Sequence, residues 1–169
     1  MNDLLKLKNA KEKLLMEEVI NGENLTSKNK KELESLAVQY MNSFPEFKLT
    51  KENRGIHLNE FFNNFKGSRL IIIRHKGKPI GLTSFNHTSK GAQLELTVVD
   101  KKYRGLKLGQ KLNAKRLYQI RIEGRKKIMQ GPTINKSGKK LKEKRIDQWK
   151  RIKQIPQSVF DRVKKRRRV

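Results

Sequence analysis

The stretch Arg104-Gly105-Leu106-Lys107-Leu108-Gly109 lies between an apolar run, Leu94-Glu95-Leu96-Thr97-Val98-Val99, and a helix-like segment that begins Gln110-Lys111-Leu112. A strand, a glycine-punctuated turn and a helix start, met in that order, narrow the folds open to the chain more than any other feature. The turn glycines admit backbone that other residues avoid and let the main chain come close to an anion. The first helical turn leaves its N–H groups unpaired, at the end where the helix dipole favours negative charge. The junction is therefore either a plain strand-to-helix connection or the seat of a diphosphate-bearing cofactor.

Neighbouring segments supply the rest of a sheet. Arg69-Leu70-Ile71-Ile72-Ile73-Arg74 reads as a buried strand, Lys76-Gly77 as a turn and Ile80-Gly81-Leu82-Thr83-Ser84-Phe85 as the hairpin partner. After the glycine turn, Leu112, Leu117, Ile120 and Ile122 mark the apolar side of a helix ending near Gly124, and Lys127-Ile128-Met129 reads as a further short strand. Before the sheet, Ser27 can cap a helix whose stripe of Leu33, Leu36, Ala37, Tyr40, Met41 and Phe44 stops at Pro45. Leu58, Phe61, Phe62 and Phe65 give a short second helix and read as core aromatics. Asp3 to Ile20 mixes leucines with charges in the manner of an amphipathic helix, ended by Asn21-Gly22. Near the other end, Ile146, Trp149 and Ile152 fall at three-residue spacing on a basic helix broken at Pro156, with Val159 and Phe160 on a final short one. Trp149 stands in line with aliphatic neighbours, which favours packing over stacking on a nucleobase.

These elements form an α+β fold, and the ordered motifs resemble the GCN5-related N-acetyltransferase (GNAT) superfamily. That family carries Arg/Gln-x-x-Gly-x-Gly/Ala between its fourth strand and third helix, matched by Arg104 to Gly109. Asn135-Lys136-Ser137-Gly138-Lys139-Lys140-Leu141 is similar to the start of its fourth helix. The resemblance implies a mixed, mostly antiparallel sheet flanked by helices over residues 27–142. A helical N-terminal extension (1–26) and a basic helical C-terminal tail (143–169) are expected around it. It also implies acetyl-CoA as cofactor, held by Arg104, Gly105, Leu106, Lys107, Leu108, Gly109 and Gln110. A backbone N–H of Val98 or Val99 would polarise the thioester carbonyl, and Asn135 would contact the pantetheine or the amine. Lys107 replaces the usual middle glycine, and Lys142 stands where many members have a tyrosine. No alternating pattern after Ile146 suggests the two further strands that members usually have.

Acyl transfer to an amine needs a base. If β alternation holds along the strand before the loop, Gln93, Glu95 and Thr97 share the face opposite Leu94, Leu96 and Val98. Glu95 is thus the candidate catalytic residue, acting directly or through water once burial brings its pKa into range. The alternative is a strand carboxylate paired with a nearby Lys or Arg.

Charge bounds the partner. The 169 residues carry 42 Lys and Arg against 16 Asp and Glu, a net +26. Residues 1–65 hold 10 basic and 10 acidic side chains, which leaves 32 basic and 6 acidic for residues 66–169. A one-sided excess of this kind implies a polyanion: DNA, RNA or a ribonucleoprotein. Lys164, Lys165, Arg166, Arg167 and Arg168 are the candidate phosphate contacts, reading charge and not sequence. The N-terminal helices could take a protein partner. The chain has no cysteine, and its three histidines, His57, His75 and His87, lack metal-ligand spacing, so no metal site is expected. No apolar run nears the roughly 18 residues that cross a bilayer, and charges interrupt Leu4-Leu5-Lys6-Leu7-Lys8 where a signal peptide is purely apolar. An intracellular, cytoplasmic protein without a membrane partner is expected, with nucleus or virion as alternatives. Two functions follow: an acyl-CoA-dependent N-acetyltransferase acting on an amine at or near nucleic acid, or the same fold with a decayed cofactor site, serving as a basic structural component of a ribonucleoprotein or viral particle.

Overall fold

The computed structural model describes residues 15–44, 48–130 and 136–166. Five strands form one sheet in the order β1 (Leu15–Asn21), β2 (Ser68–His75), β3 (Lys78–Thr88), β4 (Gly91–Val99) and β5 (Ile128–Gln130). Neighbours are antiparallel except β4 and β5, which run parallel. The helices are α1 (Ser27–Met41), α2 (Arg54–Asn63), α3 (Leu108–Ile122), α4 (Lys136–Gln154) and α5 (Gln157–Arg166). The β2–β3 hairpin closes through Lys76 and Gly77, both at positive φ, the conformation that matches strand twist in a two-residue turn.

Sheet alternation sorts the core into two clusters. Leu70, Ile72 and Leu82 face α1 and α2, where Leu33, Leu36, Phe61 and Phe62 are buried. Ile71, Ile73, Ile80 and Phe85 face α3 through Leu112, Leu117 and Ile120, and Trp149 of α4 joins this second cluster. Each such side chain contributes roughly 1.5–3 kcal/mol by leaving water. The aromatics of α2 and the indole of Trp149 are packing residues, as their spacing implied.

Three local expectations are corrected. Residues 15–21 are not helical: they form the edge strand β1, paired with β2 from Leu15↔His75 to Asn21↔Arg69. Mixed charges imitate a helical period there because polar side chains on the strand reach partners by tertiary contact. Glu17 binds Lys115 at 2.6 Å and Glu18 binds Arg74 at 3.0 Å. The earlier part of the expected N-terminal helix, residues 3–14, lies outside the described residues. The cap of α1 is Thr26, not Ser27, in a reciprocal capping box with Asn29. α4 runs unbroken across residue 142, and α5 packs on α3, with the Tyr118 and Phe160 rings 5.1 Å apart. On α4 the apolar stripe is broken as well: Ile146 is 40 % exposed, whereas its neighbour Arg145 is 8 % exposed.

Candidate functional site

The junction after β4 is curled, not extended. A single 3₁₀ turn spans Lys101–Tyr103, Gly105 sits at φ +83° and Lys107, the N-cap of α3, at φ +58°. A left-handed lysine costs roughly 1–2 kcal/mol, yet its side chain is exposed and blocks nothing. Among the described residues, none of the N–H groups from Gly105 to Gly109 donates to the chain's own backbone or side chains, so five donors remain at the mouth of α3. A Cβ added at Gly109 would meet only Val99 Cγ2, at 4.0 Å. Nothing in the protein requires glycine there, and the vacant volume fits close approach by a ligand. Arg104 leans back to donate from Nε to the Val99 carbonyl at 3.3 Å, Leu106 packs on the second cluster, Leu108 is buried and Gln110 is half-buried.

Beside this loop the sheet parts. β5 pairs with β4 only from Ala92↔Ile128 to Leu94↔Gln130, and no described strand follows β4 on that side beyond Leu94. On its other side β4 carries a bulge: Thr83 pairs with Thr97 and Phe85 with Leu94, so Ser84 faces both Glu95 and Leu96. The extra residue reverses the faces along β4. Ala92 and Leu94 belong to the α3 side, whereas Leu96 and Val98 belong to the α1–α2 side. The simple alternation expected for Gln93 to Val98 is therefore corrected. Val98 and Val99 both pair with β3, opposite Leu82 and Gly81.

The bulge organises polar groups on both faces. On the α1–α2 face, Glu95 accepts from Ser68 Oγ at 3.2 Å and from Ser84 Oγ at 2.9 Å, one hydroxyl to each carboxylate oxygen, while the residue stays exposed. No described Lys or Arg forms an ion pair with it, so the strand-pairing alternative finds no partner among the described residues. The Tyr40 phenol on the neighbouring α1 has its pKa raised above 10, first by burial and then by the Glu95 charge. On the opposite face Arg116 of α3, fully buried, donates from Nη1 to the carbonyls of Ser84 (3.1 Å) and Leu96 (3.2 Å) and from Nη2 to Asn113 Oδ1 (3.1 Å). Thr83 Oγ1 also donates to Leu96 O, at 2.9 Å. Asn113 in turn donates to Gln148 of α4 at 2.6 Å. Burial, followed by the like charge of Arg145, lowers the Arg116 pKa to about 9, against the opposing pull of Glu95.

Sequence reasoning passed over Ser68, Ser84, Tyr40, Arg116 and Arg145. One signal was present: Asn113 and Arg116 interrupt the apolar stripe of Leu112, Leu117 and Ile120 on the buried side of α3. The hydroxyls and the α4 arginine depend on register and docking, which no local pattern encodes.

The expected phosphate contacts divide. Lys164 and Lys165 are exposed on α5. Arg166 ends that helix, while Arg167, Arg168 and Asn135 lie outside the described residues. Lys164 lines a cavity of about 510 Å³ with Arg69, His87, Gln119, Glu123 and Arg125, at the end of α3 far from the loop. Glu123 there takes contacts from His87 and Gln119 and, at 3.4 Å, from Arg69. Among the described residues no group of three His, Cys, Asp or Glu side chains could hold a metal ion, and no helix is long and apolar enough to cross a membrane.

Comparison with known proteins fits this geometry. Residues 32–131 match the model of the Acetyltransferase (GNAT) family. No significant match is found among curated protein sequences. Solved structures of similar shape include an acetyltransferase of the GNAT family from Staphylococcus aureus Mu50, at 18 % identity and TM-score 0.56, covering 76 % of this chain and 82 % of that one. The ribosomal-protein-alanine N-acetyltransferase from Brucella melitensis biovar Abortus 2308 has 14 % identity and TM-score 0.57, over 77 % and 89 % of the two chains. The ribosomal-protein-S18-alanine N-acetyltransferase of Escherichia coli has 14 % identity and TM-score 0.56, over 76 % of each. At these identities the likeness is one of fold.

Proposed function

Because the chain belongs to the GNAT family of acetyltransferases, we propose that it transfers an acyl group from an acyl-CoA to an amine carried by, or held beside, a nucleic acid or ribonucleoprotein. The observation that carries the reading is the set of N–H groups between Gly105 and Gly109 that have no partner among the described residues, with open space beside Gly109 at the start of α3. Those donors and the N-terminus of α3 suit a diphosphate, and the gap where β5 leaves β4 gives an extended thioester arm a way into the sheet. When bound, an acyl-CoA supplies an activated acyl group. The transfer exchanges one N–H and the C–S bond for C–N and S–H.

The chain's own residues do the rest. Glu95, oriented by Ser68 and Ser84 and open to solvent, takes the proton of the attacking amine. Arg116 holds two carbonyls of the bulge, those of Ser84 and Leu96, in place from the opposite face and so steadies the strand that carries Glu95. The basic excess of the second part of the chain and the cavity edged by Arg69, Arg125 and Lys164 favour an acceptor presented by a polyanion.

A second reading is favoured by one feature: among the described residues no strand follows β5, and α4 and α5 come next in the chain. In it, the fold serves as a basic structural or nucleic-acid-binding component without transferase activity. Calorimetric titration with acetyl-CoA, for the wild type and Gly109→Trp, separates the two. Saturable binding lost in the variant supports transfer. No binding, together with a salt slope for DNA or RNA that falls by about one for each tail Lys or Arg replaced, supports the structural role.

A further inference from the structure

At the end of α3 remote from the glycine turn, Arg69, His87, Gln119, Glu123, Arg125 and Lys164 line the cavity of about 510 Å³, a volume within the roughly 300–1,000 Å³ of small-molecule sites. Its floor is fixed. Glu123, with its side chain 17 % exposed, contacts His87 Nε2 and accepts from Gln119 Nε2 at 2.9 Å. Arg69 meets Glu123 through Nε alone, at 3.4 Å, so its terminal nitrogens stay unengaged by the described residues. The side chains of Arg125 and Lys164 are exposed and have no partner among the described residues. Three cations from β2, the segment after α3, and α5 thus meet a single carboxylate.

The surroundings add to the excess. Gly91 lies so close to Lys127 that a Cβ would stand 2.8 Å from the Lys127 carbonyl oxygen, which brings the exposed Lys90 beside the exposed Lys126 and Lys127. On α5, Lys165 follows Lys164, while the nearby Asp161 accepts from Gln157. These cations are more than one small anion can meet, and they suit the repeated charges of a phosphodiester chain. α3 runs 15 residues between this cavity and the loop at its N-terminus, about 22 Å, so the two places are distinct. We propose that the cavity seats one backbone phosphate of a nucleic acid, met by the guanidinium fork of Arg69 and by Arg125 and Lys164 at the rim, while the surrounding lysines follow neighbouring phosphates. Glu123, by holding Arg69 at Nε, pre-orders that fork and lowers the side-chain entropy that binding costs. The site anchors the acceptor of the reading above, and it rests on the polyanion in that reading.

The test measures, by fluorescence anisotropy over a range of salt, how tightly the full chain binds a labelled single-stranded oligonucleotide made as RNA and as DNA. Arg125→Gln combined with Lys164→Gln weakens binding roughly tenfold or more and lowers the salt slope by about one, for the one seated phosphate. Both side chains are exposed and unpaired, so the fold is kept. Lys28→Gln combined with Lys51→Gln makes the same charge change on exposed lysines beside α1 and α2 and leaves affinity and slope nearly unchanged. Arg125→Lys combined with Lys164→Arg keeps most of the affinity. The tighter of the two oligonucleotides names the source of the phosphate. Equal losses in the cavity pair and the control pair would reduce the effect to diffuse charge and overturn the site, as would no binding by the wild type. Calorimetry with acetyl-CoA keeps the two readings apart. If acetyl-CoA binds and the cavity pair behaves like the control pair, transfer stands and the phosphate site falls. If the cavity pair alone loses affinity and acetyl-CoA does not bind, the site stands and transfer falls.

Discussion

Gly109→Ala should separate folding from function at a single position. The residue is second in α3 and its φ is ordinary, so alanine needs no left-handed backbone. Its Cβ would meet Val99 Cγ2 at 4.0 Å, an ordinary van der Waals contact, and nothing else. The folded state therefore accepts the methyl group, while the unfolded chain loses the freedom that glycine gives it. The expected gain is about 0.5–1 kcal/mol, which for a chain of this size raises the melting temperature by roughly 1–4 °C. On the proposed reading the same methyl group takes up space beside the diphosphate at the start of α3, so affinity for acyl-CoA falls. Urea or thermal melts without ligand give the first quantity, and calorimetry with acetyl-CoA gives the second. A destabilised variant would show that the space is not there. A stabilised variant with undiminished affinity would show that the glycine does not serve a ligand, and the loop would revert to a plain connection.

Glu95→Gln keeps an exposed, hydrogen-bonded side chain and removes the base, so kcat/KM falls by roughly 10²–10⁴ with an unchanged melting curve; full activity would return Glu95 to a structural role. For Tyr40 the folded pKa is raised above 10, so the folded state holds the phenol proton longer than the unfolded one. Its contribution is complete below pH 10 and is lost as pH rises through the folded value. The stability difference between wild type and Tyr40→Phe in urea melts should therefore shift against the wild type above pH 10, and a constant difference would contradict the assigned burial. Thr26→Ala removes half of the capping box and destabilises by about 1 kcal/mol in chemical denaturation, whereas Ser27→Ala, outside the cap position, has a smaller effect.

Local rules were enough for the centre of the chain. The hairpin over residues 68–88 was readable because apolar runs flanked a Lys-Gly turn, and α3 because its stripe followed a glycine-marked start. The loop from Arg104 to Gly109 was legible for the same reason: Gly105 takes up a positive φ that glycine adopts without strain, and such a turn leaves a trace in the sequence. The edge strand β1 was not legible, because its identity comes from backbone pairing with β2 and from Glu17 and Glu18 finding Lys115 and Arg74 on other elements.

The site shows the same division at finer grain. Sequence by itself determined that a strand carrying Glu95 runs into a glycine turn and a helix, and that the positive charge is concentrated in the second part of the chain, since these are properties of order and composition. Only the tertiary structure decided where Glu95 points, because one extra residue at the β4 bulge reverses the faces of the strand. The same packing set Ser68 and Ser84 on its carboxylate and Arg116 on the carbonyls of Ser84 and Leu96. Period-two alternation survives only while the register does, and register is settled between strands, not within one.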